Sequence, residues 1–277
     1  MRFINCGNKI LDLSTPAVMG IMNITPDSFY SGSRYNSTQQ AIDAAGIMIK
    51  DGADIIDVGA MSSRPGADEL SENEEAERLI PVIDAIHKHF PDILISADTY
   101  RAAIAKQAIN AGASIVNDIT AGNADPDMMD TVATLGIPYI MMHMRGTPKT
   151  MQLQTQYQDI VTEILKYFSA RINIARKVGL HDIIIDPGFG FAKSQDGNYK
   201  VLQHLASFKI FDLPVMAGLS RKSMIYKPLM TDAEHAINGT TALNMAALER
   251  GASILRVHDV KEAAQTVRLY RLLNEAE

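Results

Sequence analysis

The chain has 277 residues, of which 47% are hydrophobic and 21% charged, the composition of an ordinary folded protein, so long disordered or low-complexity segments are excluded. The formal net charge is -6 and the 26 Lys and Arg are scattered, which argues against a nucleic acid or an anionic membrane as the main partner. Cys6 is the only cysteine, so a disulfide is excluded and a reducing compartment is indicated. Nothing after Met1 resembles a signal peptide, and the uncharged run 13–26 is too short and too polar to span a bilayer, so we expect a cytoplasmic protein.

The amino-terminal residues predict a small hairpin followed by a first strand. Residues 2–13 alternate weakly between apolar and polar side chains around Gly7 and Asn8, a pattern typical of a hairpin. The apolar run 17–22 then stops at a polar turn that begins with Asn23. We therefore expect the first strand of the main fold at 17–22.

Capping motifs mark the starts of two predicted helices. Ser37 with Gln40, and Ser71 with Glu74, have the spacing of the capping box, and apolar residues follow each pair at helical spacing. Pro81 lies inside the second of these helices, so a kink or a second helix start is expected there.

A repeating unit follows along the chain: a glycine that stops a helix, one or two small residues, a short apolar run and a polar residue at its end. Such a unit is typical of a C-cap, a tight loop and a strand buried on both faces. The glycines are Gly52, Gly112, Gly136, Gly179 and Gly251, and the polar ends are Asp57, Asn117, His143, Asp186 and Arg256.

Further apolar runs complete the predicted sheet. Strands are expected at 93–97, ending in Asp98, and at 213–217, and a long helix is expected from about 156 to 177. Together with the first strand these runs make eight strands separated by helices, which predicts a single-domain (β/α)8 TIM barrel over 1–277. An open doubly wound sheet is the alternative, but no glycine fingerprint for a dinucleotide follows the first strand.

The polar residues at the strand ends define the predicted site, because the active site of such a barrel lies at the carboxyl ends of its strands. Taken singly, each has a structural explanation as a turn former, helix cap, core histidine or surface ion pair. Their common placement favours a functional site. These residues are Asn23, Asp57, Asp98, Asn117, His143, Asp186, Lys222, Arg256 and His258.

Asp186 is the most informative of them. Three isoleucines form a run that reads as a buried strand, and Asp186 ends it because Pro187 and Gly188 follow. An acid before Pro-Gly is often only a turn former. General acid, metal ligand and turn former all remain open for this carboxylate.

The predicted site combines two chemistries. Carboxylates and an amide at Asp98, Asn117 and Asp186 suit the edge of a nitrogen-rich heterocycle, since a carboxylate matches two adjacent N–H donors. The predicted cations Arg64, Arg256 and His258, with backbone amides near Asn23, suit a phosphate or diphosphate. The sequence has no zinc-ligand spacing, P-loop or nucleophile elbow, whereas a Mg2+ that bridges substrate phosphates would need few protein ligands.

With these motifs the chain resembles the dihydropteroate synthase family of pterin-binding TIM barrels. The matching motifs occur in family order over essentially the whole chain, which is far more specific than any one of them. They are Met-Gly-Ile-Met-Asn-Ile-Thr-Pro-Asp-Ser-Phe at 19–29, Asp-Val-Gly at 57–59, Ser-Ser-Arg-Pro-Gly at 62–66, Asp-Thr at 98–99, Asn-Asp at 117–118, His-Met at 143–144, Asp-Pro-Gly-Phe-Gly-Phe at 186–191, Ser-Arg-Lys-Ser at 220–223 and Arg-Val-His at 256–258.

The resemblance implies condensation of 4-aminobenzoate with 6-hydroxymethyl-7,8-dihydropterin diphosphate, Mg2+ dependence, inhibition by sulfonamides and a homodimer. It implies that the pterin is held by Asp98, Asn117, Asp186 and Lys222. It implies diphosphate handling by Asn23, Arg64, Arg256 and His258, with Asn23 reaching the Mg2+. It implies an aminobenzoate site at Ser63, Arg64, Pro65, Phe191, Lys222 and Ser223. The catalytic set implied is Asn23, Arg64, Asp98, Lys222, Arg256 and His258.

Four residues depart from the family pattern, and two rival functions would share part of the motif set. Met61 stands where an acid is common, Ser63 replaces a threonine, Arg145 a glutamine and Tyr226 a glycine, and the change at Ser63 leaves sulfonamide sensitivity open. A corrinoid methyltransferase that uses methyltetrahydrofolate would share the pterin acids, but it would not need the Ser-Arg-Lys-Ser motif. A catalytically silent pterin-binding relative would be expected to lack Asn23 or Arg64. Both residues are present.

Overall fold

A two-stranded hairpin closes one end of the molecule. The structure, a computed structural model, describes residues 3–24, 34–61 and 70–275. Strands β1 (Phe3–Cys6) and β2 (Lys9–Asp12) pair antiparallel, as the sequence predicts. The hairpin buries Ile4 and Leu11 in one apolar cluster with a residue from each of the eight barrel strands, so it plugs the bottom of the barrel. Those eight residues are Met19, Ile55, Leu94, Ile115, Ile140, Ile184, Met216 and Ile254.

Eight parallel strands form a nearly closed barrel, which confirms the predicted fold class. The strands are β3 (Ala17–Asn23), β4 (Ile55–Gly59), β5 (Leu94–Asp98), β6 (Ile115–Asp118), β7 (Tyr139–Met142), β8 (Ile183–Asp186), β9 (Met216–Ala217) and β10 (Ile254–Val257). Their order around the sheet is β8-β7-β6-β5-β4-β3-β10-β9. A single parallel bridge between Ile185 and Val215 joins its two ends.

Strand β9 is shorter than the run 213–217 that the sequence predicts. Pro214 lies in the missing part and has no N–H to donate to a neighbouring strand. Its carbonyl still accepts a hydrogen bond from the Ile185 amide at 3.0 Å. The segment therefore closes the barrel although it pairs as a strand over only two residues.

Helices pack around the barrel between successive strands. They are α1 (Arg34–Lys50), α2 (Glu72–His89), α3 (Ala102–Asn110), α4 (Met128–Leu135), α5 (Ile160–Lys177), α6 (Gln195–Gln203), α7 (Ser223–Tyr226), α8 (Ile237–Glu249) and α9 (Val260–Glu275). Short 3-10 helices occupy Met151–Leu153 and Leu205–Phe211. Among the described residues, none of the helices is both long and apolar enough to cross a bilayer.

The predicted helix boundaries are partly confirmed. Ser71 and Glu74 form the reciprocal capping box of α2. Helix α1 begins at Arg34, so Ser37 lies in its first turn and the predicted N-cap at Ser37 is wrong. Helix α2 is continuous through Pro81, so of the two outcomes expected there a second helix start is wrong.

The glycines predicted to stop helices all adopt left-handed backbone conformations. Their φ values lie between 65° and 112°, a region that favours glycine because a Cβ is disfavoured there. The glycines are Gly52, Gly112, Gly136, Gly179 and Gly251. Each one ends a helix shortly before a barrel strand, so the repeating unit read from the sequence is confirmed.

Candidate active site at the carboxyl ends of the strands

An arginine and two aspartates link three strands at the carboxyl end of the barrel. Arg256 on β10 donates from Nε to Asp57 Oδ2 at 2.6 Å and from Nη2 to Asp98 Oδ2 at 2.8 Å. Asn117 on β6 donates from Nδ2 to the same Asp57 oxygen at 3.1 Å. Gly59 leaves room for this cluster, since a Cβ at that position would lie 3.2 Å from Asp98 Cβ.

The charges in this cluster perturb one another. Burial, followed by the charge of Asp57, raises the pKa of Asp98 to about 7, although Arg256 opposes the shift. Burial acts against the charge of Arg256, but Asp57 and Asp98 outweigh it and raise the pKa of the guanidinium. Arg256 therefore stays charged, whereas Asp98 exchanges a proton near neutral pH.

One buried oxygen of the cluster lacks a hydrogen bond within the described part of the chain. Asp57 is fully buried, and its Oδ2 accepts from both Arg256 and Asn117, while Oδ1 has no partner there. Buried carboxylate oxygens are normally satisfied. Such an oxygen is suited to a donor from a ligand or a water molecule.

Asp186 fills one of the roles that the sequence leaves open, that of turn former, and keeps its second oxygen for another partner. Its Oδ1 accepts the Gly188 amide at 2.7 Å, so the carboxylate does form the turn. Gly188 is required there: its φ is 73°, and a Cβ would lie 2.1 Å from the His143 carbonyl oxygen. Asp186 Oδ2 instead lies on the side of Gly218, near the Lys222 ammonium, so one oxygen remains for a ligand.

Burial raises the pKa of Asp186, while the nearby cations, Lys222 foremost, oppose that shift. Burial also lowers the pKa of Lys222 to about 8, and Asp186 opposes it. The Lys222 ammonium donates to the Phe189 carbonyl and lies 4.8 Å from the centre of the Phe191 ring. The acid, the ammonium and the aromatic face are thus brought to one side of the barrel mouth.

His258 lies at the rim beside the loop after β9. Its Nδ1 is 3.0 Å from Ser220 Oγ, and its amide donates to the same hydroxyl at 3.1 Å. Burial on the barrel side, together with the charge of Arg256, lowers the pKa of the ring, whereas solvent weakens this effect on its exposed side. These influences favour the neutral ring over the cationic state that the sequence predicts.

The loop that follows β9 is held by its own ion pair. Arg221, whose φ is 57°, donates from Nε and Nη2 to the two carboxylate oxygens of Asp259 at 3.0 and 2.6 Å. This contact ties the segment of Lys222 to the segment of His258. Ser223 is exposed and begins helix α7.

His143 does not join the cluster. It is 3% exposed, its ring packs edge-on against Tyr167, and burial followed by the charge of Lys193 lowers its pKa to about 2. It is a neutral core histidine. Its Nδ1 is 3.0 Å from Nζ of Lys193, which is also buried. Lys193 is not among the residues that the sequence predicts for the site, because a lone lysine after a glycine-rich turn carries no spacing signal.

The remaining predicted residues divide into one that is described and three that are not. Asn23 is the last residue of β3, is half-buried, and pairs in register with Gly59 at the carboxyl end of the barrel. Ser63, Arg64 and Pro65 lie outside the described residues.

A Mg2+ ion at the barrel mouth would depend on few protein ligands. Over residues 3–24, 34–61 and 70–275 the structure has no group of three or more His, Cys, Asp or Glu side chains placed to hold a metal ion. Mg2+ bound mainly by substrate phosphates and water needs only one or two protein oxygens. The amide oxygen of Asn23 fits that requirement.

An eight-stranded parallel barrel with charged and amide side chains at the carboxyl ends of its strands defines a (β/α)8-barrel enzyme. The chain belongs to the family of pterin binding enzymes, whose model matches residues 19–258. It is 43% identical over 261 residues to the dihydropteroate synthase of Escherichia coli, covering 94% of this chain and 92% of that protein.

Solved structures give the same relationship. The Yersinia pestis dihydropteroate synthase, solved with a sulfonamide drug complex, superimposes with a TM-score of 0.93 at 39% identity, covering 99% of this chain and 100% of the other. The Xanthomonas albilineans dihydropteroate synthase with 4-aminobenzoic acid gives a TM-score of 0.92 at 35% identity, covering 100% and 99%.

Proposed function

We propose that this protein condenses 4-aminobenzoate with 6-hydroxymethyl-7,8-dihydropterin diphosphate to form 7,8-dihydropteroate and diphosphate, a step of folate biosynthesis. One observation carries the proposal: acids, an amide and a lysine suited to a pterin lie beside Arg256, a half-buried arginine suited to diphosphate. They do so in a chain that is 43% identical to a dihydropteroate synthase over 94% of its length.

The pterin would be held at the strand ends by Asp98, Asn117, Asp186 and Lys222. Asp186 Oδ2 and the second lone pair of Oδ1 can accept adjacent ring N–H groups. Asn117 uses one N–H on Asp57 and keeps its other N–H and its carbonyl for the ring. Lys222 supplies a compensating positive charge beside Asp186.

The diphosphate would lie towards Asn23, Arg64, Arg256 and His258. Arg256 need not leave the aspartates to meet it, since only two of its five N–H groups are used in the cluster. His258, neutral with Nδ1 at Ser220, would act as a hydrogen-bonding group and not as a second cation. Bound Mg2+, reached by Asn23, would neutralise charge on the departing diphosphate.

The 4-aminobenzoate would lie against Phe191 and Lys222. The ammonium of Lys222 already lies over the face of the Phe191 ring. Ser223 at the start of α7, with Ser63, Arg64 and Pro65, would complete this subsite. Sulfonamides, which share the aminobenzoate framework, are expected to compete for it, in keeping with the drug-bound relative from Yersinia pestis.

The chemistry follows from the charges of the site. Loss of diphosphate leaves positive charge on the electron-rich dihydropterin, and Asp98 and Asp186 in their ionised forms would stabilise that charge. Asp98 takes up this form above its pKa of about 7. The neutral arylamine then attacks the exocyclic carbon without a strong base. This dissociative, carbocation-like path predicts a large secondary deuterium isotope effect from the hydrogens on that carbon and a small 13C effect at the carbon itself. A small deuterium effect with a large 13C effect is typical of associative displacement and would contradict it.

The assembly and location of the protein are part of the same proposal. We expect the whole chain to act as one domain and to form a cytoplasmic homodimer. Sedimentation of the purified protein checks the dimer, and a monomer at micromolar concentration that retains full activity would contradict it.

The reaction itself is tested with purified protein, Mg2+ and both substrates. We expect dihydropteroate and diphosphate in equal amounts, and loss of product when a chelator removes the Mg2+. A parallel reaction offers methyltetrahydrofolate and a corrinoid protein. Methyl transfer there, with no dihydropteroate in the first reaction, would overturn the proposal.

A further inference from the structure

Lys193 is the buried lysine that follows the pterin-side loop 187–192. Its side chain is 4% exposed, and its Nζ lies 2.8 Å from the Gly188 carbonyl, 3.0 Å from the Phe191 carbonyl and 3.0 Å from His143 Nδ1. The His143 carbonyl is a fourth, longer contact at 3.4 Å. A lysine so fully buried needs such partners, because an unpaired ammonium in the interior is costly.

The two loop carbonyls can only accept hydrogen bonds, so Lys193 must donate to both. A protonated lysine has three N–H groups, and a neutral one has two N–H groups and a lone pair that can accept from His143. Burial lowers the pKa of Lys193, whereas the charge of Asp186 opposes that shift. Either protonation state therefore holds the Gly188 and Phe191 carbonyls in place.

Backbone and side-chain groups together hold this loop: the Phe191 amide donates to the Gly188 carbonyl at 3.1 Å, and side chains supply further contacts. Gly188, Gly190 and Ala192 have φ values of 73°, 81° and 49°, a path that does not continue either strand or helix. The Gly190 amide donates to Asn198 Oδ1 at 2.7 Å, and the Ala192 carbonyl accepts from Tyr157 Oη at 2.9 Å.

Two lysines contact this loop from different positions. Lys222 donates to the Phe189 carbonyl beside the ligand site, whereas Lys193 donates to the carbonyls on either side of it, at Gly188 and Phe191. Lys222 is the group expected to engage substrates. Lys193 is bonded within the interior, so recruitment of Lys222 by a ligand would leave the contacts of Lys193 with the loop in place.

We propose that Lys193 is a positioning residue for both substrates, fixing the Asp186–Gly188 turn on the pterin side and the Phe191 ring on the aminobenzoate side. This inference rests on the proposed function. Lys193 touches neither substrate: it acts through the Gly188 and Phe191 carbonyls, which set where the Asp186 carboxylate and the aromatic wall lie. Misplacement of such groups by about 1 Å costs a reaction about 100-fold.

The test compares Lys193→Met with Lys200→Met, a matched change at an exposed lysine of helix α6. Steady-state kinetics give kcat and a KM for each substrate, and calorimetry gives the Kd of the pterin diphosphate. Thermal unfolding checks the fold. We expect Lys193→Met to raise the KM for the arylamine substrate and the Kd of the pterin substrate about tenfold or more. Lys200→Met should match the wild type.

A merely structural lysine would behave differently. Lys193→Met would then unfold at a lower temperature, but the KM values of its folded fraction for the pterin and arylamine substrates would stay within twofold of the wild type. That result overturns the inference. If Lys193→Met does not fold, Lys193→Gln is used, since its amide can still donate to one carbonyl. KM values unchanged in folded Lys193→Gln would equally overturn it, whereas an intermediate rise supports it. A wild type that makes no dihydropteroate would instead overturn the proposed function.

Discussion

Replacing Asp98 by asparagine should make the protein more stable at alkaline pH. The Asp98 carboxyl is 17% exposed, shares Arg256 with Asp57, and has its pKa raised from 3.8 to about 7 by burial and by the charge of Asp57. The folded state therefore holds the Asp98 proton between about pH 4 and 7, where the unfolded chain has lost it. This contribution to stability is complete below the unfolded pKa and is lost as the pH rises through the folded pKa.

The size of the change in unfolding free energy follows from the pKa shift of Asp98. One pKa unit corresponds to about 1.4 kcal/mol, so the Asp98 carboxyl should cost the wild type about 3 kcal/mol of unfolding free energy between pH 5 and pH 8. Asparagine has nearly the same shape and does not titrate. The unfolding free energy of Asp98→Asn, relative to the wild type, should rise by that amount over the same interval.

Urea unfolding of wild type and Asp98→Asn at pH 5 and pH 8 gives four unfolding free energies. The change between the two pH values in the variant, minus the same change in the wild type, is the predicted quantity. The other buried acids, among them Asp186 and Glu75, titrate in both proteins and largely cancel. The attraction between Arg256 and ionised Asp98 is already contained in the pKa of about 7, so its loss in the variant is part of the predicted difference. An unfolding free energy with the same pH dependence in both proteins would refute the raised pKa of Asp98.

Two further substitutions test the glycine turn and Arg64, which lies outside the described residues. Gly188→Ala should cost at least about 3 kcal/mol in thermal unfolding, because φ is 73° and the new Cβ would lie 2.1 Å from the His143 carbonyl oxygen. Gly136→Ala is the matched control: its φ is 65° with nothing within 4 Å, so the expected cost is about 1 kcal/mol, and equal losses would contradict the steric argument. Arg64→Ala should lower kcat at least about 100-fold while the unfolding temperature changes little, and unchanged kinetics would remove this residue from the mechanism.

Most of the fold could be predicted because local signals agree with it. The glycines such as Gly52 and Gly251 end helices through a backbone property of the residue itself, and the apolar runs behind them are buried on both faces. The barrel then fixes which ends of the strands meet. The sequence therefore placed Asp98, Asn117 and Asp186 at one mouth without any contact information.

The pairing inside the site could not be predicted in the same way. Arg256 binds Asp57, which is 199 positions away in the chain, and this contact depends on the closed barrel. The lowered pKa of His258 and the raised pKa of Asp98 arise from burial and neighbouring charges that spacing does not encode. Lys193 was missed for the same reason: its partners come from the tertiary path of a loop.

Asp186 is the carboxylate expected to hold the pterin, and the proposed function depends on it. Calorimetric titration of 6-hydroxymethyl-7,8-dihydropterin diphosphate into wild-type protein and Asp186→Asn tests it directly, with circular dichroism to check the fold. We predict that the asparagine variant folds, because its amide oxygen can still accept the Gly188 amide. We predict that it binds the pterin at least about 100-fold more weakly, since a charged acceptor of two N–H groups is lost. A folded variant that binds the pterin as tightly as the wild type would contradict the account and leave Asp186 as a turn former only.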